Sequence, residues 1–380
     1  MKKISFIFII ILIFTSSPLH SFAISAQSAV VIDAASGRVL YSHNANEKRG
    51  MASTTKIMTA ITALENSDIN KVVSISPTAS GVEGSSMYLA KGEKLTLGEL
   101  LYGLMLVSGN DAATAIAEAV SGSVSSFAVL MNKKAEEIGA LNSNFTNPHG
   151  LSDENHYTTA YDLAKITAYA LKNPKFAEIV ATKTKKLPQN EGGYARTLVN
   201  HNKFLSMYEG CIGVKTGFTK ATGRCLVTAV NKNGLQLVCV TLNASDDWQD
   251  HKTLYDTTFS EYSSFKIKSI GEKIIDAKIK KGISDTVSLV TQNDIYIPIK
   301  PGEEQSIKVT PQCFEDLTAP ISKGDVLGTL TIATDGKPCG EFPLVSDSDI
   351  PVKKVIFKAA SYDLVTAFKK VFYAWLTCFQ

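Results

Sequence analysis

Several kinds of chemistry are missing from this chain of 380 residues. It has six cysteines and six histidines, but no Cys-x-x-Cys and no His pair at ligand spacing, so neither a metal nor a cofactor is expected. Charge is nearly balanced: a net +3 over this length lacks the concentrated basic patch that a nucleic-acid partner requires. No apolar stretch reaches the roughly 20 residues that a membrane span needs. The run from Ile4 to Phe14, broken only by Ser5, stops well short. With Lys2-Lys3 before it, and Ser21 and Ala23 spaced for cleavage after Ala23, it reads as an export signal over 1–23. The working protein is then expected to begin at Ile24, outside the cytoplasm.

Export permits disulfides. Cys211, Cys225, Cys239, Cys313, Cys339 and Cys378 allow 15 pairings, and the sequence does not choose among them. Cys225 and Cys239 sit in alternating apolar runs and read as small buried hydrophobes. Cys313 and Cys339 form the one pair to check, because both fall in a small distal domain.

The hydrophobic fraction of 44% supports a sizeable core, and the length suggests two domains. Ala29 to Asp33 and Arg38 to Ser42 flank Ala34-Ala35-Ser36-Gly37 and read as a hairpin. Helices are predicted from Ser53 through Ala63, over Leu97–Leu106, over Ala112–Val120 after an Asp111 start, and over Ser125–Ile138. Three alternating runs follow Cys211: Ile212–Thr216, Arg224–Val230 and Leu235–Leu242. Asn231-Lys232-Asn233-Gly234 turns the chain between the last two. Strands at both ends with helices between predict an α/β sandwich, the terminal strands sharing one antiparallel sheet.

From about Gly271 to 352 the segments are short and alternate, as in Thr286–Val290 and Gly328–Ile332. Pro301-Gly302 and Asp335-Gly336 punctuate them, which predicts a small all-β domain. The remainder, 353–380, changes character. At the helical period Ile356, Phe357, Ala360, Leu364, Phe368, Val371, Phe372 and Trp375 share one face, with Lys358, Lys369 and Lys370 on the other. Such a helix suits the headgroup layer of a membrane, although docking on its own protein is the common fate of amphipathic helices.

Three motifs stand in one order: Ser53-Thr54-Thr55-Lys56, Ser108-Gly109-Asn110 and Lys215-Thr216-Gly217. Each alone is weak. Ser263-Ser264-Phe265-Lys266 repeats the first pattern, and Ser42-His43-Asn44 repeats the second. Only the named set keeps the order with a domain's worth of chain between its members. It supplies a nucleophile, a base, a proton relay and an anion clamp, enough for acyl transfer through a serine ester without His or Asp.

Ser53 and Lys56, one helical turn apart, share a side, and the helix start steadies an alkoxide on Ser53. As base, Lys56 must fall about 3 units from a free lysine's pKa, and burial beside a second cation, Lys215, pushes it that way. Ser108 relays a proton to the leaving amine. Asn110 holds Lys56 and donates to a substrate carbonyl. Lys215 and Thr216 on an edge strand hold the substrate's carboxylate while the peptide adds as a further strand. Gly217 leaves room for close approach. Taken singly, Ser53 also suits an N-cap, Lys56 a solvated helix face, and Ser108-Gly109-Asn110 a plain turn.

These motifs resemble those of the penicillin-binding and serine β-lactamase superfamily, and within it the low-molecular-mass D-alanyl-D-alanine carboxypeptidases. The resemblance runs from about Ser28 to the end. It includes Met51–Thr59, Asn147-Pro148-His149-Gly150-Leu151, Tyr157–Ala164, Gly213–Thr219 and Ala319–Val326. It implies a transpeptidase-like catalytic domain over 24–270, an antiparallel sheet with helices on both sides plus a helical subdomain. A β-rich domain over 271–352 and the tail as an amphipathic membrane anchor would follow. The implied activity is removal of the terminal D-alanine from peptidoglycan stem peptides ending in D-Ala-D-Ala, at the outer face of the cytoplasmic membrane. β-Lactams would be covalent inhibitors.

The resemblance further implies an oxyanion hole from the backbone N–H groups of Ser53 and Phe218. It borders the cleft with the His149 segment, where a structural role is the simpler reading. Asp162 is expected to cap or order the following helix, and Asn200 and Asn202 to be architectural. One departure stands out. Some relatives carry an arginine on the strand end near Asn243-Ala244-Ser245 that helps bind the carboxylate, and none is present here. Either Lys215 and Thr216 suffice, or Arg224 helps. A β-lactamase is the nearest alternative, but no Glu-x-x-x-Asn lies between Asn110 and Lys215 to supply its deacylating base. A catalytically silent wall protein is the other, and the intact motifs argue against it.

Overall fold

A computed structural model describes residues 24–189, 195–354 and 364–377. The expected export signal, part of the expected anchor and Cys378 lie outside them.

Strand β1 (Ser28–Asp33) is buried along its whole length, because it runs in the middle of a sheet and both its faces are covered. It pairs antiparallel with β2 (Val39–His43) through the expected hairpin. The strands β3 (Cys211–Thr219), β4 (Gly223–Lys232) and β5 (Leu235–Ala244) complete the sheet in the order β2-β1-β5-β4-β3, with antiparallel registers throughout. Asn233 and Gly234 both take left-handed φ, the two-residue turn that matches strand twist. The terminal strands thus share one sheet, as predicted, and β3 forms its free end.

Alternation along β1 feeds two cores. Val30 and Ile32 join Ile57, Leu100 and Ile166 on one side. Ala29 and Val31 join Leu254 and Tyr255 on the other. The first side carries α1 (Lys56–Asn66), α2 (Leu97–Leu106), α3 (Asn110–Ser121), α4 (Val124–Ile138) and α5 (Ala160–Leu171). The second carries α6 (Asp247–Glu261). A capping box between Thr96 and Glu99 starts α2 at the predicted residue, and Ser123 caps α4. Two expectations are corrected. The helix predicted from Ser53 begins at Lys56, because Ala52–Thr55 form a tighter 3-10 turn entered through Ala52 at φ +47°. Asp162 is not the cap of α5: Thr159 accepts the Asp162 N–H, and the Asp162 carboxylate orders the preceding loop through the Asn142 N–H and Ser143 Oγ.

Contacts divide the chain into two units. The first runs through Phe265 and includes Tyr296–Ile307 and Thr334–Gly340; the second comprises Lys266–Ile295, Lys308–Ala333 and the chain from Glu341. A second sheet has five strands, β6 (Lys273–Lys278), β7 (Thr286–Thr291), β8 (Lys308–Cys313), β9 (Val326–Thr334) and β10 (Lys337–Ser346), in the order β6-β7-β10-β9-β8. Inward Val287 and Leu289 alternate with outward neighbours, as the sequence pattern predicts.

The pairing of Cys313 with Cys339 is not made: the five described cysteines are free thiols. Cys313 stands opposite Gly328 in the second unit, while Cys339 bonds Thr334 in the first. The tail forms helix α7 (Leu364–Thr377), with Phe368 at 74% and Trp375 at 60% exposure. Among the described residues no single helix is long and apolar enough to cross a membrane.

Candidate active site

Separate stretches of the chain bring the motif residues together. Ser53 rides on the 3-10 turn, Lys56 opens α1, Ser108 sits in the α2–α3 connection, Asn110 opens α3, and Lys215 to Phe218 lie on β3. The strand comes this close because residue 217 is glycine: a Cβ there would stand 3.1 Å from the amide nitrogens of both Ser53 and Thr54.

Lys56 is fully buried, and its Nζ has three partners: Ser53 Oγ at 2.9 Å, Asn110 Oδ1 at 2.7 Å and the His149 carbonyl at 2.6 Å. Two of these can only accept. A neutral amine has two N–H groups and one lone pair. Giving the N–H groups to Asn110 and His149 leaves the lone pair for the Ser53 hydroxyl proton. Burial, and then the nearby Lys215, hold the Lys56 pKa well below the ordinary lysine value, with Asp111 opposing. Burial and a neighbouring cation are the two causes expected from the sequence to lower this pKa. Lys215 is itself buried, which lowers its pKa to about 7, and its Nζ donates to the Thr216 carbonyl at 2.9 Å.

A cavity of about 330 Å³ opens beside the nucleophile, lined by Ser53, Ser108, Thr216, Gly217 and Phe218. Ser108 is held at φ +62°, a left-handed conformation that a serine adopts only at a cost. Within the described contacts Lys56 reaches Asn110 rather than Ser108. One Asn110 N–H is committed to the Glu83 carbonyl at 2.7 Å, which leaves a single N–H for a substrate carbonyl. Arg224, Asp247, Trp248 and His201 also line the cavity. Arg224 Nε donates to Asp247 Oδ1 at 2.9 Å. Burial, with Lys215 nearby, lowers the His201 pKa.

Several supports lie outside the three catalytic motifs. Gly150 abuts the nucleophile turn, where a Cβ would fall 1.9 Å from the Ala52 carbonyl oxygen. His156 Nδ1 accepts the Thr146 N–H at 3.0 Å, so its Nε2 carries the proton and donates to Thr55 Oγ1 at 2.8 Å. That hydroxyl donates in turn to the Ala52 carbonyl at 2.8 Å. Burial drives the His156 pKa down to about 4, so the relay stays in its neutral form at physiological pH. The Asp111 carboxylate, read from sequence only as a helix start, accepts from Ser86 Oγ at 2.6 Å and from the Met87 and Leu89 N–H groups. It thereby fixes the loop that brings Ser85 to the cavity. His149 contributes its backbone carbonyl; Asn200 donates to the Thr182 carbonyl at 2.9 Å and is architectural, as expected. Among the described residues no group of His, Cys, Asp or Glu could hold a metal ion.

Comparison with known proteins gives this geometry a context. A family model described as D-alanyl-D-alanine carboxypeptidase matches residues 14–246, and one described as penicillin-binding protein 5, C-terminal domain, matches residues 262–352. The D-alanyl-D-alanine carboxypeptidase DacF of Bacillus subtilis is 36% identical over 334 residues, covering 86% of each chain. DacA of Escherichia coli is 29% identical, covering 93% of this chain and 89% of its own. Among solved structures, penicillin binding protein 5 from Haemophilus influenzae aligns with a TM-score of 0.69 at 30% identity, covering 87% of this chain and 98% of that one. A Streptomyces K15 DD-transpeptidase aligns with a TM-score of 0.60 at 32% identity, covering 63% and 99%.

Proposed function

The chain belongs to the D-alanyl-D-alanine carboxypeptidase family of serine hydrolases, and from that premise we propose how its own residues perform the reaction. Ser53 Oγ attacks the carbonyl carbon of the penultimate D-alanine while Lys56 Nζ takes its proton. The tetrahedral oxyanion is met by the backbone N–H groups of Ser53 and Phe218. The proton on Lys56 Nζ passes through the Ser108 hydroxyl to the departing D-alanine nitrogen, the C–N bond breaks, and an acyl ester remains on Ser53 with Lys56 neutral again. Water attacks that ester, Lys56 takes its proton and returns it to the departing Ser53 Oγ, and the shortened stem peptide leaves with Ser53 and Lys56 both restored. Lys215, Thr216 and Gly217 line up the peptide as an added strand against β3. Penicillin enters the same sequence and stops at the ester.

The observation that carries this reading is the partner set of Lys56: two obligate acceptors and the serine, around a buried nitrogen. The experiment is acylation by benzylpenicillin followed by intact mass and peptide mapping, together with D-alanine release from a pentapeptide. The adduct is expected on Ser53 and is expected to vanish in Lys56→Ala while the circular dichroism spectrum is kept. An adduct on Ser263, or near-normal acylation of Lys56→Ala, would refute the assignment.

We further propose the organisation around this centre. The catalytic domain covers 24–270 and the β-rich domain 271–352. The tail from 353 lies in the headgroup layer at the outer face of the cytoplasmic membrane. In support, Phe368, Val371, Phe372 and Trp375 are all exposed on α7, with Lys369 and Lys370 among them, so an apolar stripe and a cationic one are both available.

A further inference from the structure

The substrate proposed above ends in a carboxylate, and the cavity must supply a cation to read it. Lys215 meets this need poorly. It is 1% exposed, it does not line the cavity, and its Nζ is already given to the Thr216 carbonyl. With its pKa near 7 it also carries a full charge only part of the time at neutral pH. Among the described residues the only lysine or arginine lining the cavity is Arg224.

The register explains how Arg224 gets there. It stands directly opposite Phe218 across the β3–β4 pair, so the two side chains emerge on the same face, which Thr216, two residues earlier on β3, also shares. Asp247, buried in the first turn of α6, takes the Nε edge of the guanidinium. The Arg224 side chain is nevertheless 45% exposed, and among the described contacts its two terminal nitrogens make no hydrogen bond. A guanidinium anchored by one edge presents the other as a two-pronged donor, the geometry that a carboxylate accepts.

We propose that Arg224, held in place by the positioning residue Asp247, is the specificity-determining residue for the substrate's C-terminal carboxylate. This rests on the carboxypeptidase reading for its substrate. Because Asp247 already balances the charge of Arg224, recognition comes from the directed pair of N–H donors more than from net attraction. A substrate of similar shape but with a neutral end forfeits that pair. Lys215 keeps its place on β3 beside the peptide and depresses the Lys56 pKa.

The test compares ligands with and without the carboxylate. An acyl-D-Ala-D-Ala peptide and its C-terminal amide are assayed for kcat/KM, and benzylpenicillin and its methyl ester for the rate of Ser53 acylation. Wild type should prefer each carboxylate form. In Arg224→Gln that preference should fall about 30-fold, equivalent to about 2 kcal/mol, chiefly through KM for the peptide. Arg224→Lys, which keeps the charge but not the fork, should fall between. Asp247→Asn should reduce the preference less than Arg224→Gln, also through KM. Thermal unfolding of each variant identifies loss of fold, and Arg224→Lys supplies the measurement if Arg224→Gln does not fold. An equal loss on charged and neutral ligands, or an unchanged preference, overturns the proposal. Should wild type leave the peptide intact, the carboxypeptidase reading fails, and the penicillin and ester pair still decides whether Arg224 reads a carboxylate.

Discussion

Replacing Lys215 by methionine should make the protein more stable at neutral pH while impairing it as an enzyme. Burial takes the ammonium from a pKa of 10.5 in the unfolded chain to about 7 in the fold. Between those values the unfolded chain holds more protons than the native one, so native stability rises with pH. For this one group the rise from about pH 7 to about pH 9 is on the order of 2 kcal/mol, at roughly 1.4 kcal/mol per unit. Methionine exchanges no proton, and in both proteins the Lys56 pKa stays depressed chiefly by its own burial, so its titration largely cancels. The advantage of Lys215→Met should therefore be greatest near pH 7 and shrink by about 2 kcal/mol on going to about pH 9. Urea unfolding of the first unit, followed by tryptophan fluorescence of Trp248 at the two pH values, measures it. A variant less stable than wild type at pH 7, or a gap that widens with pH, would show that Lys215 is stabilised in its charged form and that the reasoning about Lys56 is wrong as well.

Other outcomes follow from the supports of the nucleophile and from the tail. Gly150→Ala places a Cβ 1.9 Å from the Ala52 carbonyl oxygen at a residue with φ +88°, so the turn must shift. Penicillin acylation should drop by about 100-fold, the scale of a ~1 Å misplacement, and near-normal acylation would show that the turn is not held from that side. Truncation at Val355 should release the protein from anionic liposomes in flotation while peptide hydrolysis persists. Each buried large apolar side chain is worth about 1.5–3 kcal/mol, so high salt should weaken binding of the full chain only in part. Failure of the full chain to float, or flotation unchanged by truncation, refutes the anchor.

Much of this molecule was legible in its sequence because local rules and global packing agreed. Thr96 and Glu99 form a capping box where the apolar period begins, so α2 came out to the residue. Asn233-Gly234 permits only a tight reversal, so β4 and β5 were separable. The motif residues could be gathered because their order and spacing carry information that no single residue does. What stayed hidden has no periodic signature. The left-handed entry at Ala52 opposes an alanine's preference; its carbonyl accepts from Thr55, which His156 holds, and abuts Gly150, and both His156 and Gly150 come from about a hundred residues away. The role of the His149 segment was hidden too, since a backbone carbonyl serves Lys56 and any side chain offers one. Asp111 looked like a helix start because its partners, Ser86 to Leu89, sit in a loop without pattern. The disulfide question stayed open for a related reason: nearness in sequence does not say which compact unit a cysteine joins, and Cys313 and Cys339 fall in different units.

The place of β3 at the free end of its sheet also limits how this fold can change. On the function proposed above, a sixth strand laid beside β3 would fill the groove where the substrate pairs, so new structure there would cost the enzyme its activity. The opposite margin, β2, carries none of the motif residues and is half exposed along its length. Insertions, fused modules or designed extensions of the sheet therefore have one permissible direction, and lineages that enlarge this domain should do so from the β2 side or in its loops. The architecture is open at one edge for chemistry and at the other for growth.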